Sequence, residues 1–195
     1  MYTTVKRNSI TQSKPPLSEE ARLVERAKSG DPEAFGQLYD ACLERVYRYV
    51  YFRVSNDETA EDITSQVFLK AWENLGKYKA NGSPFVAWLY TIARNLIVDH
   101  YRTRKDMLSL DAAAAAAGEE ALDEQAELRF ELQALRDALQ LLTEDQQQVL
   151  VLKFIAGLPN ESIAKMMNRR EGAIRALQMR ALQALSKHMQ EKEMV

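Results

Sequence analysis

Apolar residues recur along this chain at three- and four-residue steps, and the places where that rhythm stops divide it into helices. Beyond Gly30-Asp31-Pro32, a start signal with Asp as cap and Pro in the first turn, Phe35, Leu38, Cys42, Val46 and Val50 mark one amphipathic helix. A second is predicted from Asn56-Asp57-Glu58, with Ile63, Val67, Phe68, Ala71, Trp72 and Leu75 on its apolar side, and it ends before the loop 76–83. A third runs through NGSPFVAWLYTIARNLIVDHYRTRK (81–105), where Phe85, Trp88, Leu89, Ile92, Ala93, Leu96 and Ile97 fit the helical template. Three such stripes can close one helical domain.

The pattern then lapses. SLDAAAAAAGEEALDEQAE is acidic, low in complexity and lacks a bulky apolar stripe, which is the reading of a linker. Periodicity resumes at Leu128, Leu132, Leu135, Leu139 and Leu142, and Thr143-Glu144-Asp145 offers a fresh cap before QQQVLVLKF. Two short helices, Glu161 to Met167 and Glu171 to about His188, meet at Asn168-Arg169-Arg170. Asparagine tolerates the left-handed conformation that a tight helix-helix turn needs, so the spacing is that of a helix-turn-helix. In its last helix Ile174, Leu177, Ala181, Leu182 and Leu185 are expected to face inward, with Arg175, Gln178 and Arg180 projecting elsewhere.

The expected fold is therefore all-α: two small helical domains joined by a flexible acidic linker, the second domain carrying a helix-turn-helix. The boundaries read as an N-terminal arm (1–24), a first domain (25–105), the linker (106–126) and a second domain (127–195). Scarce glycine (7) and abundant Ala, Leu, Glu, Arg, Gln and Lys agree with helix over sheet. No apolar run approaches the roughly 20 residues of a membrane span, and the first residues lack the apolar core of a secretory signal, so a cytoplasmic location is expected. With one cysteine, Cys42, and two distant histidines, neither an internal disulfide nor a metal or other cofactor is expected.

Charge changes the picture more. A formal net charge of -2 argues against a nucleic-acid binder until its distribution is considered. Residues 106–140 hold nine acids against two bases, whereas 153–188 hold seven bases against two acids. The clustering of Arg169, Arg170, Arg175 and Arg180 at the helix-turn-helix favours a helix in a DNA major groove, where Arg and Gln read guanine and adenine edges. A packed helical hairpin with a solvated basic face is the plainer alternative. The helix at 85–105 joins aromatic residues to a basic end, Arg102, Arg104 and Lys105, a combination suited to unpaired bases and their backbone. Trp88 lies on the apolar stripe and reads as core; Tyr90 and Tyr101 stand open between packing and contact. No Cys/His pair, Gly-rich phosphate loop or metal-spaced acid cluster supports an enzyme. A stand-alone helix-turn-helix regulator remains the alternative function, although it leaves the first domain without a task.

Three ordered stretches, AEDITSQVFLKAW (60–72), SPFVAWLYTIARNLIVDHYR (83–102) and LLTEDQQQVLVLKFIAGLPNESIAKMMNRREGAIRALQMRALQAL (141–185), resemble regions two and four of extracytoplasmic-function (ECF) sigma factors, the two-domain members of the bacterial sigma-70 family. The resemblance implies a dissociable specificity subunit of RNA polymerase core rather than an enzyme. Its first domain would dock on the polymerase clamp coiled coil through Asp62, Gln66, Phe68 and Lys70. The loop 77–83 would capture the melted minus-ten strand, with Lys79 and Asn81 at the flipped base and Asn95, Asp99, Arg102 and Arg104 on the adjoining DNA. Asp99, a carboxylate, can instead orient an arginine. The second domain would read the minus-thirty-five duplex through Arg169, Arg170, Ala173, Arg175, Gln178 and Arg180 and bind the polymerase flap, while the linker threads toward the RNA exit path. Family members are often held by an anti-sigma factor, a further implied partner. Two departures stand out: Ser65-Gln66 replaces a common Gln-Glu in the clamp-binding helix, and Pro159 and Arg170 stand where Ser caps are usual.

Overall fold

The computed structural model describes residues 18–79, 83–108 and 124–193, with side chains for 18–79, 83–103 and 130–190. The chain is all-α, and no strand occurs among the described residues. The first helix, α1 (Glu19–Lys28), starts inside the stretch expected to be an arm. Ser18 caps it, Val24 and Ala27 are buried, and Glu20 accepts a 2.9 Å hydrogen bond from the backbone N–H of Phe85. Few apolar residues disclose it because its burial is narrow. Helix α2 (Pro32–Tyr51) begins as expected: Asp31 Oδ1 accepts from the N–H groups of Glu33 and Ala34 at 3.0 and 3.1 Å. The Ala34 N–H and the Arg26 guanidinium hold the Asp31 carboxyl below its usual range.

Asn56 caps α3 (Asp57–Asn74) by accepting from Thr59 N–H at 2.7 Å, and a 3-10 turn (Leu75–Lys77) follows before α4 (Phe85–Leu108). Leu38, Cys42, Val46 and Val50 from α2 meet Ile63, Val67 and Ala71 from α3 and Phe85, Leu89, Ala93 and Ile97 from α4. Four predicted stripe members behave differently: Trp72 is 42% exposed, and Phe35, Trp88 and Ile92 are half-buried. Tyr90, by contrast, is fully buried with its ring 4.8 Å from that of Tyr49.

Helices α5 (Glu124–Gln140), α6 (Glu144–Leu150), α7 (Asn160–Met166) and α8 (Glu171–Glu193) form the second unit. The stretch 106–126 is thus helical at both ends; residues 109–123 lie outside the described residues. At the start of α6, Gln146 Oε1 accepts from both the N–H and the hydroxyl of Thr143. A π-helical turn (Val151–Ile155) follows, closed by Ala156 N–H donating to Val151 O at 2.9 Å. Pro159 and Arg170 occupy the helix-start positions of α7 and α8 as read from the sequence, and Asn168 makes the turn at φ 50°. Ile174, Leu177 and Ala181 are the inner face of α8, whereas Leu182, expected with them, is 43% exposed.

The two units share a seam at which α5 and α6 meet the end of α2 and the turn 52–56. One continuous apolar cluster runs through both. Around it, polar side chains of the second unit grip the open carbonyls that end α2. Arg136 Nε donates to Val54 O at 2.9 Å and Gln147 Nε2 to Phe52 O at 3.2 Å. Arg136 also pairs with Asp57 and lies 3.8 Å from the centre of the Tyr51 ring. Tyr49 donates to Gln148 Oε1 at 2.8 Å, both groups being buried.

Candidate nucleic-acid interface

Steps of four, three, four and three residues put Trp88, Ile92, Asn95, Asp99 and Arg102 on one stripe of α4. The half-buried Trp88 packs one side of its indole on Tyr78 and Phe85, with ring centres at 5.0 and 5.5 Å. Its other side lines a groove with Asn95, Asp99, Lys70, Asn74 and Lys77. The groove continues into a cavity of about 400 Å³ reached by Lys79 and Ser83. An aromatic floor, amide groups and three lysines are the components of a site for an unpaired nucleic-acid strand.

Of the residues expected at the minus-ten surface, the structure gathers Lys79, Asn95 and Asp99 along this connected groove. Arg102 is exposed further along the stripe. Asn81 lies outside the described residues, and Arg104 is described only as part of α4. Two further lysines line this groove: Lys70, expected at the polymerase, and Lys77 from the 3-10 turn.

On α3, Asp62, Gln66 and Lys70 are exposed, but Phe68 is only 5% exposed, its ring 4.5 Å from that of Tyr39. Phe68 therefore supports that surface from beneath. Gln66 turns toward α4, sharing a cavity with Asp99 and His100. The apolar area facing outward belongs to Leu69, Trp72 and Tyr39, at 58%, 42% and 36% exposure. Leu69 was detectable as a leucine off the apolar stripe; Trp72 was hidden because it falls on the stripe.

The helix-turn-helix exposes Arg169, Arg170, Ala173, Arg175 and Arg180. At about 100° per residue, Arg175 and Arg180 are about 140° apart around α8, so they serve different sides. Arg175 shares its side with Gln178, and Ala173 shares the other with Arg180. Several of these polar groups have partners in the chain: Arg169 pairs with Asp145, Arg175 with Glu171 at 3.2 Å, and half-buried Gln178 donates to Asn160 at 3.2 Å. Arg180 Nε makes a 3.4 Å contact with Ala176 O. The Arg175 pair is exposed and links neighbouring turns of one helix, so exchange for a base edge or a phosphate costs little. No helix among the described residues is long and apolar enough to cross a membrane.

The sigma-70 region 2 family matches residues 38–106, and the sigma-70 region 4 family matches residues 132–185. ECF RNA polymerase sigma factor BldN of Streptomyces coelicolor is 40% identical over 168 residues, covering 85% of this chain and 64% of BldN. The RNA polymerase sigma-H factor of Pseudomonas aeruginosa is 32% identical over 184 residues, covering 88% of this chain and 94% of that protein. In fold, the chain resembles the sigma factor RpoE of Bartonella quintana, solved with the anti-sigma factor NepR, at a TM-score of 0.68 and 24% identity over 80% of this chain and 96% of RpoE. With both family regions in order, separated by the alanine-rich stretch, the chain belongs to the ECF group of the sigma-70 family, the RNA polymerase sigma factors that serve transcription initiation by binding polymerase core and promoter DNA.

Proposed function

We propose that this chain works in the cytoplasm as a non-enzymatic specificity subunit that brings polymerase core to a two-part promoter. The observation that carries the proposal is the groove beside Trp88, where Lys70, Lys77, Asn95 and Asp99 surround an aromatic floor next to the loop that holds Asn81. In this reading the melted minus-ten strand follows the lysines, while a base extruded from the stack is held by the loop. Extrusion costs a few kcal/mol, so a site that recognises the flipped base both selects sequence and keeps the bubble open. Asp99 sits among the cations as their orienting partner.

The exposed Tyr39, Leu69 and Trp72, with Asp62 beside them on α3, form the surface offered to the polymerase clamp. Arg175 and Gln178 read base edges of the minus-thirty-five duplex once their partners within the chain release them; Arg169, Arg170 and Arg180 hold phosphates. The anti-sigma partner in the RpoE structure supports the same kind of regulation here. Asn81→Ala tests the capture site. It should leave thermal stability and core binding unchanged while impairing opening of linear promoters more than supercoiled ones. Parent-like opening of linear templates by Asn81→Ala would remove the loop from the mechanism.

A further inference from the structure

Helix α4 begins on an acceptor that comes from another element. Helices α1, α2 and α3 are capped by the residue just before each, Ser18, Asp31 and Asn56. The residue before α4 is Pro84, which has neither a side-chain acceptor nor an N–H. Instead Glu20 of α1, 65 positions away, accepts from the Phe85 N–H at 2.9 Å. Its carboxylate also meets the positive end of a 24-residue helix. A local cap fixes only its own turn, whereas this one ties the end of the loop before α4 to a separate helix.

The same face of α1 reaches the other end of that loop. Glu20, Val24, Ala27 and Lys28 share one stripe, about 12 Å from first to last. Val24 and Ala27 are buried, and Lys28 Nζ lies 5.9 Å from the centre of the Tyr78 ring. Tyr78 is 6% exposed, its ring 5.3 Å from that of Phe85 and 5.0 Å from that of Trp88. Burial first, and then the Glu20 charge, pushes the Tyr78 hydroxyl above its usual range, so the carboxylate faces both shoulders of the loop. Tyr78 and Phe85 flank the segment that carries Lys79 and Asn81, and their rings close on the aromatic floor of the groove. Glu20 is absent from the side chains that line the groove and its adjoining cavity, so its effect on a bound strand passes through Phe85.

We propose that α1 is a strap across the two shoulders of the capture loop, and that Glu20 is a positioning residue for base capture, acting through the Phe85 N–H. The proposal rests on the reading of the loop 77–83 as the capture site, but its physical part is measurable in the free chain. Without the acceptor, the first turn of α4 frays and Phe85 loosens from Tyr78. The loop then spends less time in the form that accepts a base, and apparent affinity for that base falls by the same fraction.

The experiment compares the full-length parent with Glu20→Ala and with Glu20→Gln, which keeps an acceptor oxygen. Amide exchange followed by nuclear magnetic resonance, without polymerase, should be about fivefold faster at Phe85 in Glu20→Ala than in the other two. Holoenzyme is then bound to a promoter template premelted over the minus-ten element and to a series each lacking one base of the non-template strand. The parent should bind the intact strand about tenfold more tightly than the strand lacking the captured base. In Glu20→Ala that ratio should fall to about twofold, with Glu20→Gln close to the parent and core binding unchanged in both. Each ratio is taken within one preparation, so any loss of folded chain cancels. A Glu20→Ala ratio equal to the parent's, or unchanged exchange at Phe85, would overturn the positioning role. A parent indifferent to every missing base would instead sink the capture reading on which the role depends, with exchange at Phe85 still deciding whether Glu20 holds the start of α4.

Discussion

The hydrogen bond from Tyr49 to Gln148 offers a direct measure of whether the two units fold as one body. Tyr49 is fully buried and Gln148 is 1% exposed, with 2.8 Å between hydroxyl and amide oxygen. Tyr49→Phe keeps the ring against Tyr90 but strands the Gln148 amide, whose Nε2 already lacks a partner. An abandoned buried polar group costs about 1 to 3 kcal/mol. For a chain of this size that lowers the melting temperature by about 2 to 4 °C per kcal/mol. Gln148→Leu, similar in volume, strands the hydroxyl instead and should cost a comparable amount. The double variant removes both groups, so its loss should fall short of the sum by about 0.5 to 3 kcal/mol. Urea unfolding followed by far-ultraviolet circular dichroism supplies all four free energies. Strict additivity would mean that residues 99 positions apart do not touch in solution, and the packing of the second unit on α2 would be refuted.

Two further outcomes concern the surfaces. Leu89 is fully buried whereas Trp88 is half-buried, so Leu89→Ala should cost about 3 kcal/mol and Trp88→Ala less, about 2, in the same unfolding assay; in holoenzyme, Trp88→Ala should weaken minus-ten strand binding and Leu89→Ala should not beyond its effect on folding. Arg175→Ala should cost about 1 to 3 kcal/mol on the preferred minus-thirty-five sequence and relax choice at one base pair, measured by holoenzyme binding to variant promoters. Arg170→Ala should weaken all sequences alike and flatten the salt dependence, and a change of base preference there would reverse the two roles.

Much of this was legible in the sequence because it depends on local physics. The caps Asp31 and Asn56, the apolar periods of α2 to α4 and the turn at Asn168 each act within a few residues, and the structure places them as the pattern predicts. What the pattern could not show depends on partners far along the chain. Helix α1 is secured by Glu20 reaching Phe85, 65 residues away. Arg136, Gln147 and Gln148 are polar residues at buried positions, which periodicity assigns to solvent. Tyr101, open between packing and contact, has its hydroxyl shared between Arg53 O and Gln140, and Tyr90 is core. Lys70 and Lys77 reach the groove because α3 ends beside α4, a tertiary fact. Trp72 and Leu182 are reversals of exposure that a helical wheel alone cannot resolve once neighbouring helices choose their crossing.

The central claim is that this chain gives polymerase its promoter specificity, and reconstituted transcription tests it most directly. Core polymerase from the source organism, with and without the chain, is presented with a genomic promoter library at physiological salt, and transcript starts are mapped. Starts that appear only with the chain, downstream of one shared pair of minus-thirty-five and minus-ten elements, and negligible duplex binding by the chain alone, are the predicted result. Tight sequence-specific duplex binding by the isolated chain, with no new starts when core is added, would contradict it.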